Sequence, residues 1–355
     1  MRRPAPGEAT APPAHTPAIV AEMLQEYGAA TRAVLEQYLT ADPPVPYLQN
    51  LLLDYPRRGG KMMRPSLCIA HARAFGAGVE EAVLAAASIE MMHNALLIHD
   101  DIEDGSELRR GRPTLHLLHG VPSALHAGDM LMLLSLRPLM DSAARLGERL
   151  ALEILRETEV MARETAEGQS LELEWRDRHR TNLTESDYFR MVLKKTAWLS
   201  TIHPSRVGSL IGSAGTVDPS IFNRFGFFLG AAFQIQDDVL NLVADTGYGK
   251  ERNGDLFEGK RTLMLIHAYR SGSAAEQAVL DEILRLPREQ RTDEHVSSLR
   301  EVIDRHGSID HARIVAQALA GAALHEYSCI YGGLRDSRHK QFIEGLITWV
   351  FERSA

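Results

Sequence analysis

The sequence predicts an all-α fold. Its long tracts rich in Ala, Leu, Glu and Arg favour helix over sheet, and only 6% of its residues are aromatic. Apolar side chains recur at three- and four-residue steps along most of the chain, and no stretch sustains the two-residue alternation of a strand. With 45% hydrophobic residues among 355, the chain can bury a sizeable core.

Residues 1–16, rich in Pro, Ala and Thr, are expected to form a disordered leader. A helix over 17–39 stops before Asp42-Pro43-Pro44, because proline lacks the N–H that would continue it. Tyr55 to Arg64 is a basic, glycine-containing loop, and Pro65 suits the first turn of the helix that follows. Over 79–104, Ala85, Ile89, Met92, Leu96 and His99 fall on one helical face. Helices are expected over 122–143, 145–173, 185–213 and 218–244. After a basic loop, more are expected over 260–271, 274–286, 294–306, 308–327 and 335–353. Residues 17–355 are read as one all-helical domain.

Bulk properties exclude several functions. A net charge of −8 leaves no broad basic surface for nucleic acid. Cys68 and Cys329 are too few for a disulfide framework or a zinc site, which fits a reducing cytoplasm. No uninterrupted apolar run reaches the roughly 20 residues that span a bilayer. Pro4, Pro6, Pro12 and Pro13 break any signal-peptide pattern. Histidine spacing suited to zinc hydrolysis and a Gly-x-Ser-x-Gly elbow are both missing.

Two aspartate pairs carry the chemistry. His99-Asp100-Asp101-Ile102-Glu103-Asp104 precedes Arg109-Arg110-Gly111-Arg112, and Gln234-Ile235-Gln236-Asp237-Asp238-Val239-Leu240-Asn241 precedes Lys250, Arg252 and Lys260-Arg261. On a helix, Asp100 and Asp104 stack one turn apart, and Gln234, Asp237, Asp238 and Asn241 form one stripe of oxygen-bearing side chains. Crowded carboxylates resist burial unless a cation sits among them, and a hard divalent ion such as magnesium prefers oxygen ligands. Arginine and lysine beside such a centre would hold the free oxygens of a diphosphate. One acidic run alone would read as a solvated helix end; two in one chain, each with a basic loop, favour metal bridging.

Other residues are weaker signals. In Gly59-Gly60-Lys61-Met62-Met63-Arg64-Pro65, Lys61 and Arg64 could grip a phosphate at a helix start, or form an ordinary surface turn. His93 lies seven residues before Asp100, on nearly the same face, where a packed core histidine is the plain alternative. Lys195-Thr196 offers a cation and a hydroxyl, or simply a helix surface. Gln169 is no more specific.

Taken in order, the motifs resemble the all-trans polyprenyl diphosphate synthases, of the geranylgeranyl type. The match comprises Gly60-Lys61-x-x-Arg64-Pro65, His93 before Leu97-Ile98-His99-Asp100-Asp101-x-x-Asp104, and Leu108-Arg109-Arg110-Gly111-x-Pro113-Thr114. Lys195-Thr196, Phe233-Gln234-Ile235-x-Asp237-Asp238 and Gly254-Asp255-Leu256-x-Glu258-Gly259-Lys260-x-Thr262-Leu263 extend it to about residue 268. The resemblance implies the isoprenoid synthase fold, a single large helical bundle around a central active-site cavity, and a homodimer. It implies magnesium, three ions per active site, held by Asp100, Asp104 and Asp237 with Asp101 and Asp238 in support. Arg109, Lys195, Lys250 and Lys260 would hold an allylic diphosphate, with Thr196 and Gln234 nearby. Lys61, Arg64, His93 and Arg110 would hold isopentenyl diphosphate.

Three places depart from the family pattern: Asn241 stands where many members carry a third aspartate, Thr201-Ile202-His203-Pro204 is atypical, and Lys250-Glu251-Arg252-Asn253 has unusual spacing. Ala95 and Leu96, just before Asp100, leave room where short-chain members carry an aromatic plug. With Met92 one turn earlier, they would set a floor for a geranylgeranyl-length product, or serve as plain core packing. The rival readings are a class I terpene cyclase on the same fold and a non-catalytic partner subunit.

Overall fold

The computed structural model describes residues 18–40, 45–243 and 253–352. The expected leader, residues 1–16, and Lys250 lie outside the described residues. Helices dominate, as the sequence predicts, and the contacts divide the chain into two compact units. The first comprises Met1–Thr158, His203–Ile221 and Gly333–Trp349; the second comprises Glu159–Ile202, Phe222–Gly332 and Val350–Ala355.

In the first unit the helix Val79–Asp104 packs against Ala18–Thr40, Met63–Ala74, Val121–Leu134 and Leu136–Leu146. Small side chains at Ala82, Ala85, Ala86 and Ala87 let those neighbours approach closely, and all four are buried. Farther along, Met91, Ala95 and Ile98 join a cluster with Leu35, Leu39, Leu52 and Leu131. By length and a mean hydropathy of 1.3 this helix could cross a bilayer, a feature absent from the sequence reading. It is 67% buried inside the protein over that window, as a core helix is.

One strand pair occurs among the described residues. Leu108–Arg109 and Arg112–Pro113 pair antiparallel across Arg110 and Gly111, whose φ angles are 54° and 72°. Two successive positive φ values match a two-residue type I′ turn, so the basic run after the first aspartates is a hairpin tip.

The second unit is built on Phe222–Val243, which packs along Ser308–Tyr331 and along Leu193–Ile202. Its core includes Trp175, Tyr188, Ile235, Val239, Leu263, Leu299, Ile303 and Ala312. Sequence periodicity predicts one helix over 185–213. The chain instead forms an α-helix at Glu185–Val192, a π-helix at Leu193–Ile202 and a further α-helix at His203–Gly212. Pro204 has no N–H for the carbonyl one α-turn back and would clash with it, and the wider π turn relieves both problems. This accounts for the atypical Thr201-Ile202-His203-Pro204. Glycine contacts hold the π segment: a Cβ on Gly230 would lie 2.8 Å from Ala197 Cα, and one on Gly168 would collide with the Lys195 backbone.

Candidate active site

The first acidic helix ends in a Schellman-type cap. Gly105 adopts φ 63°, and the Ser106 N–H donates to the Asp101 carbonyl at 3.0 Å. Asp100 is half-buried, while Asp101 and Asp104 are buried. Asp100 and Asp104 offer carboxylate oxygens within 4.8 Å of one another. Asp101 turns away from open space. It accepts from Arg109 Nε at 2.9 Å, from Arg109 Nη2 and from the Tyr55 hydroxyl. Burial pushes its carboxyl up, and the Arg109 guanidinium opposes that push.

A second cluster in this unit surrounds Glu90, a buried carboxylate that the sequence reading passed over. His93 Nδ1 lies 3.4 Å from its carboxylate, and Asn94 Nδ2 donates to it at 3.2 Å. Burial pushes the Glu90 carboxyl up, but the hydrogen bond to His93 and the nearby Arg110 and Arg64 guanidinium groups leave it below its ordinary value. His93 is pushed down to about 4 by burial and by Arg64, so it is neutral near pH 7. Arg110 donates to the Tyr55 carbonyl at 2.9 Å, and a Cβ on Gly60 would lie 2.9 Å from Arg110 Nη2. Lys61, next to Gly60, is exposed and places Nζ 5.6 Å from the centre of the Trp349 ring. Arg64, His93 and Arg110 thus gather around Glu90, and Lys61, expected from sequence in the same anion site, lies in the same unit.

In the second unit, Asp238 is buried and accepts from the Tyr188 hydroxyl at 2.8 Å and Gln234 Nε2 at 2.7 Å. Thr196 donates to Gln234 Oε1 at 2.7 Å, so Thr196, Gln234 and Asp238 form a chain of hydrogen bonds. Burial, followed by the charge of Asp255, pushes the Asp238 carboxyl up to about 8. Asp237 is half-buried beside it. Asn241 is buried, and its Oδ1 accepts the Asp255 N–H at 3.1 Å. It therefore anchors the short helix Gly254–Glu258, where an aspartate would add another carboxylate to those of Asp238 and Asp255. Lys195, in the π-helix, pairs with buried Glu172, and Lys260 lies 2.9 Å from Glu258.

The donor sets fit magnesium. Asp100 and Asp104 in one unit, and Asp237, Asp238 and Asp255 in the other, offer only hard oxygen atoms. The raised carboxyl of Asp238 marks a place where a cation would relieve crowding. The floor positions are divided. Leu96 and Met92 are half-buried and buried, while Ala95 lies wholly inside the packed cluster, where its small side chain has a packing role. Sequence reasoning missed Tyr55, Glu90, Glu172 and Tyr188. Glu172, one turn after Gln169, and Glu90, one turn before His93, had a helical-spacing signal; the two tyrosines had none.

The polyprenyl synthetase family pattern matches residues 45–303, well over half the chain. A geranylgeranyl pyrophosphate synthase from Geoglobus acetivorans is 34% identical over 261 residues, covering 73% of this chain and 79% of that one. A geranylfarnesyl diphosphate synthase from Natronomonas pharaonis is 32% identical, covering 91% and 94%. Among solved structures, a Caulobacter crescentus polyprenyl synthase complexed with calcium and isoprenyl diphosphate superposes with a TM-score of 0.82. It has 27% identity over 97% of this chain and 100% of that one.

Proposed function

This chain belongs to the polyprenyl synthetase family and is a prenyl diphosphate synthase, and from that premise we propose that it extends an allylic diphosphate with isopentenyl diphosphate to give geranylgeranyl diphosphate. The observation that carries the two-substrate reading is the gathering of Arg64, His93 and Arg110 around buried Glu90. A terpene cyclase ionises one allylic diphosphate and has no use for this second anion site.

Magnesium, three ions in this reading, would be held by Asp100, Asp104 and Asp237, with Asp101 and Asp238 in support, and would neutralise the negative charge of the departing diphosphate. Arg109, Lys195 and Lys260, with Lys250, Thr196 and Gln234, hold the allylic diphosphate while its carbon–oxygen bond breaks and the electron pair leaves with the diphosphate. Lys61, Arg64, Arg110 and neutral His93 hold isopentenyl diphosphate so that its double bond attacks the allylic carbon. A new carbon–carbon bond forms, and the proton lost from the adduct passes to the released diphosphate. Apolar walls keep water from the cation. Leu96 and Met92 form the proposed floor of the product tunnel.

Residues 17–355 act as one catalytic domain in this reading, which the 97% coverage by a solved relative supports. A homodimer is supported by exposed Leu117, Leu118, Val121, Leu125 and Leu133 on two successive helices of the first unit. A cytoplasmic location is supported by the free thiols of Cys68 and Cys329. The test is incubation of purified protein with magnesium, isopentenyl diphosphate and, separately, dimethylallyl, geranyl or farnesyl diphosphate, with products identified by mass spectrometry. Linear diphosphates ending at geranylgeranyl are expected. Hydrocarbons from an allylic substrate alone would mean a cyclase, and no product would mean a partner subunit.

A further inference from the structure

Tyr55 belongs to neither aspartate motif, yet it touches the machinery assigned to both substrates. It lies near the end of the helix Pro46–Arg57 and is fully buried. Its hydroxyl donates to Asp101 Oδ2 and accepts the Leu115 N–H at 3.4 Å. Its carbonyl accepts Arg110 Nη1 at 2.9 Å. The Arg58 guanidinium lies 4.5 Å from the centre of its ring and donates to the Arg109 carbonyl at 3.0 Å. The hairpin Leu108–Pro113 is thus tied to Tyr55 and Arg58 at Arg109 and Arg110, and the acidic helix at Asp101.

Core packing alone does not account for this tyrosine. A phenylalanine would fill the same volume, and burying a hydroxyl costs free energy unless it is bonded. Here it bonds to an ionised acceptor, the stronger class of hydrogen bond. Arg109 already covers Asp101 through Nε and Nη2. A second donor from another helix therefore fixes the carboxylate's orientation. Asp100 precedes Asp101 directly and Asp104 follows one turn later, so fixing Asp101 fixes the helix end that carries both.

We propose that Tyr55 is a positioning residue that, with Arg109, clamps Asp101 and so sets Asp100 and Asp104 for a magnesium–diphosphate ligand. Arg109, its side chain only 9% exposed, shares in this clamp through its pairing with Asp101. The inference rests on the function proposed above.

The test variant is Tyr55→Phe, which keeps the ring and the carbonyl and removes only the hydroxyl. Wild-type formation of linear diphosphates, run alongside, tests the functional reading by itself. In Tyr55→Phe the magnesium concentration for half-maximal rate should rise and kcat fall, each roughly ten-fold as for loss of one charged hydrogen bond, with KM for isopentenyl diphosphate little changed. Independently of turnover, the thermal stabilisation of the protein by magnesium plus inorganic diphosphate should shrink. In an Asp101→Asn background, Tyr55→Phe should add no further loss, because both act through one contact. An unchanged magnesium dependence and thermal shift in Tyr55→Phe, or full additivity with Asp101→Asn, would overturn the proposal.

Discussion

Asp101 and Asp238 hold the same place in their motifs: each is the second carboxylate of an aspartate pair near the end of an apolar helix, and each is buried. Their surroundings differ. Asp101 is met by a guanidinium and a phenol, while among the described residues Asp238 receives two neutral donors, Tyr188 and Gln234. The first carboxylate carries its counter-charge within the chain. Among the described residues the second does not, and burial with the charge of Asp255 pushes its carboxyl up to about 8. One sequence pattern has two electrostatic solutions, one already neutralised and one that favours either a proton or an added cation.

The comparison can be broken first at the outward carboxylates, which should behave alike. Asp100→Ala and Asp237→Ala should each lower kcat by on the order of 10²–10³-fold or more, with circular dichroism unchanged. Near-wild-type turnover in either would remove that residue from the metal site. The inner carboxylates should then diverge under urea unfolding. Arg109→Ala leaves Asp101 buried without its cation and should cost about 3–5 kcal/mol. Tyr188→Phe removes one neutral hydrogen bond from Asp238 and should cost only about 1–3 kcal/mol. Equal costs would mean that the two sites are alike after all.

A pH series sharpens the contrast. The Asp238 carboxyl is raised in the folded state, so the folded protein binds a proton that the unfolded chain has lost. Stability of the metal-free protein should therefore fall as pH rises from the ordinary carboxylate range to about 8, and level off above. Asp238→Asn should flatten that slope, and magnesium should reduce it. A slope unaffected by either would detach it from Asp238. The smallest effect is expected outside both pairs. Lys61→Ala should raise KM for isopentenyl diphosphate by roughly ten-fold, as for loss of one charged contact at an exposed position. A change confined to the allylic KM would reassign Lys61.

Local chemistry decided how much could be seen in the sequence. The helix Val79–Asp104 was legible because its apolar residues repeat at helical spacing over seven turns. The outward carboxylates and the basic cluster were legible because their order along the chain matches a family. The break within 185–213 was not, because it depends on Pro204 together with glycines from other helices. The hairpin at Arg110-Gly111 escaped because its strands are two residues long, too short for alternation to register. Asn241, a departure in sequence, becomes intelligible only beside the Asp255 N–H it accepts, fourteen positions away. Tyr55 and Tyr188 were invisible for the same reason: their acceptors lie 46 and 50 residues off.

The π-helix at Leu193–Ile202 also bears on what this chain can lose. Each π turn holds about one residue more than an α turn, so the segment is, in effect, a stored insertion. Deleting one residue within it would let an α-helix form with the flanking turns still in register, but side chains inside the segment would swing to other faces. Lys195 would leave Glu172, and Thr196 would leave Gln234, with no residue at either position changed in kind. The segment should therefore tolerate substitution on its outer face far better than any change in its length.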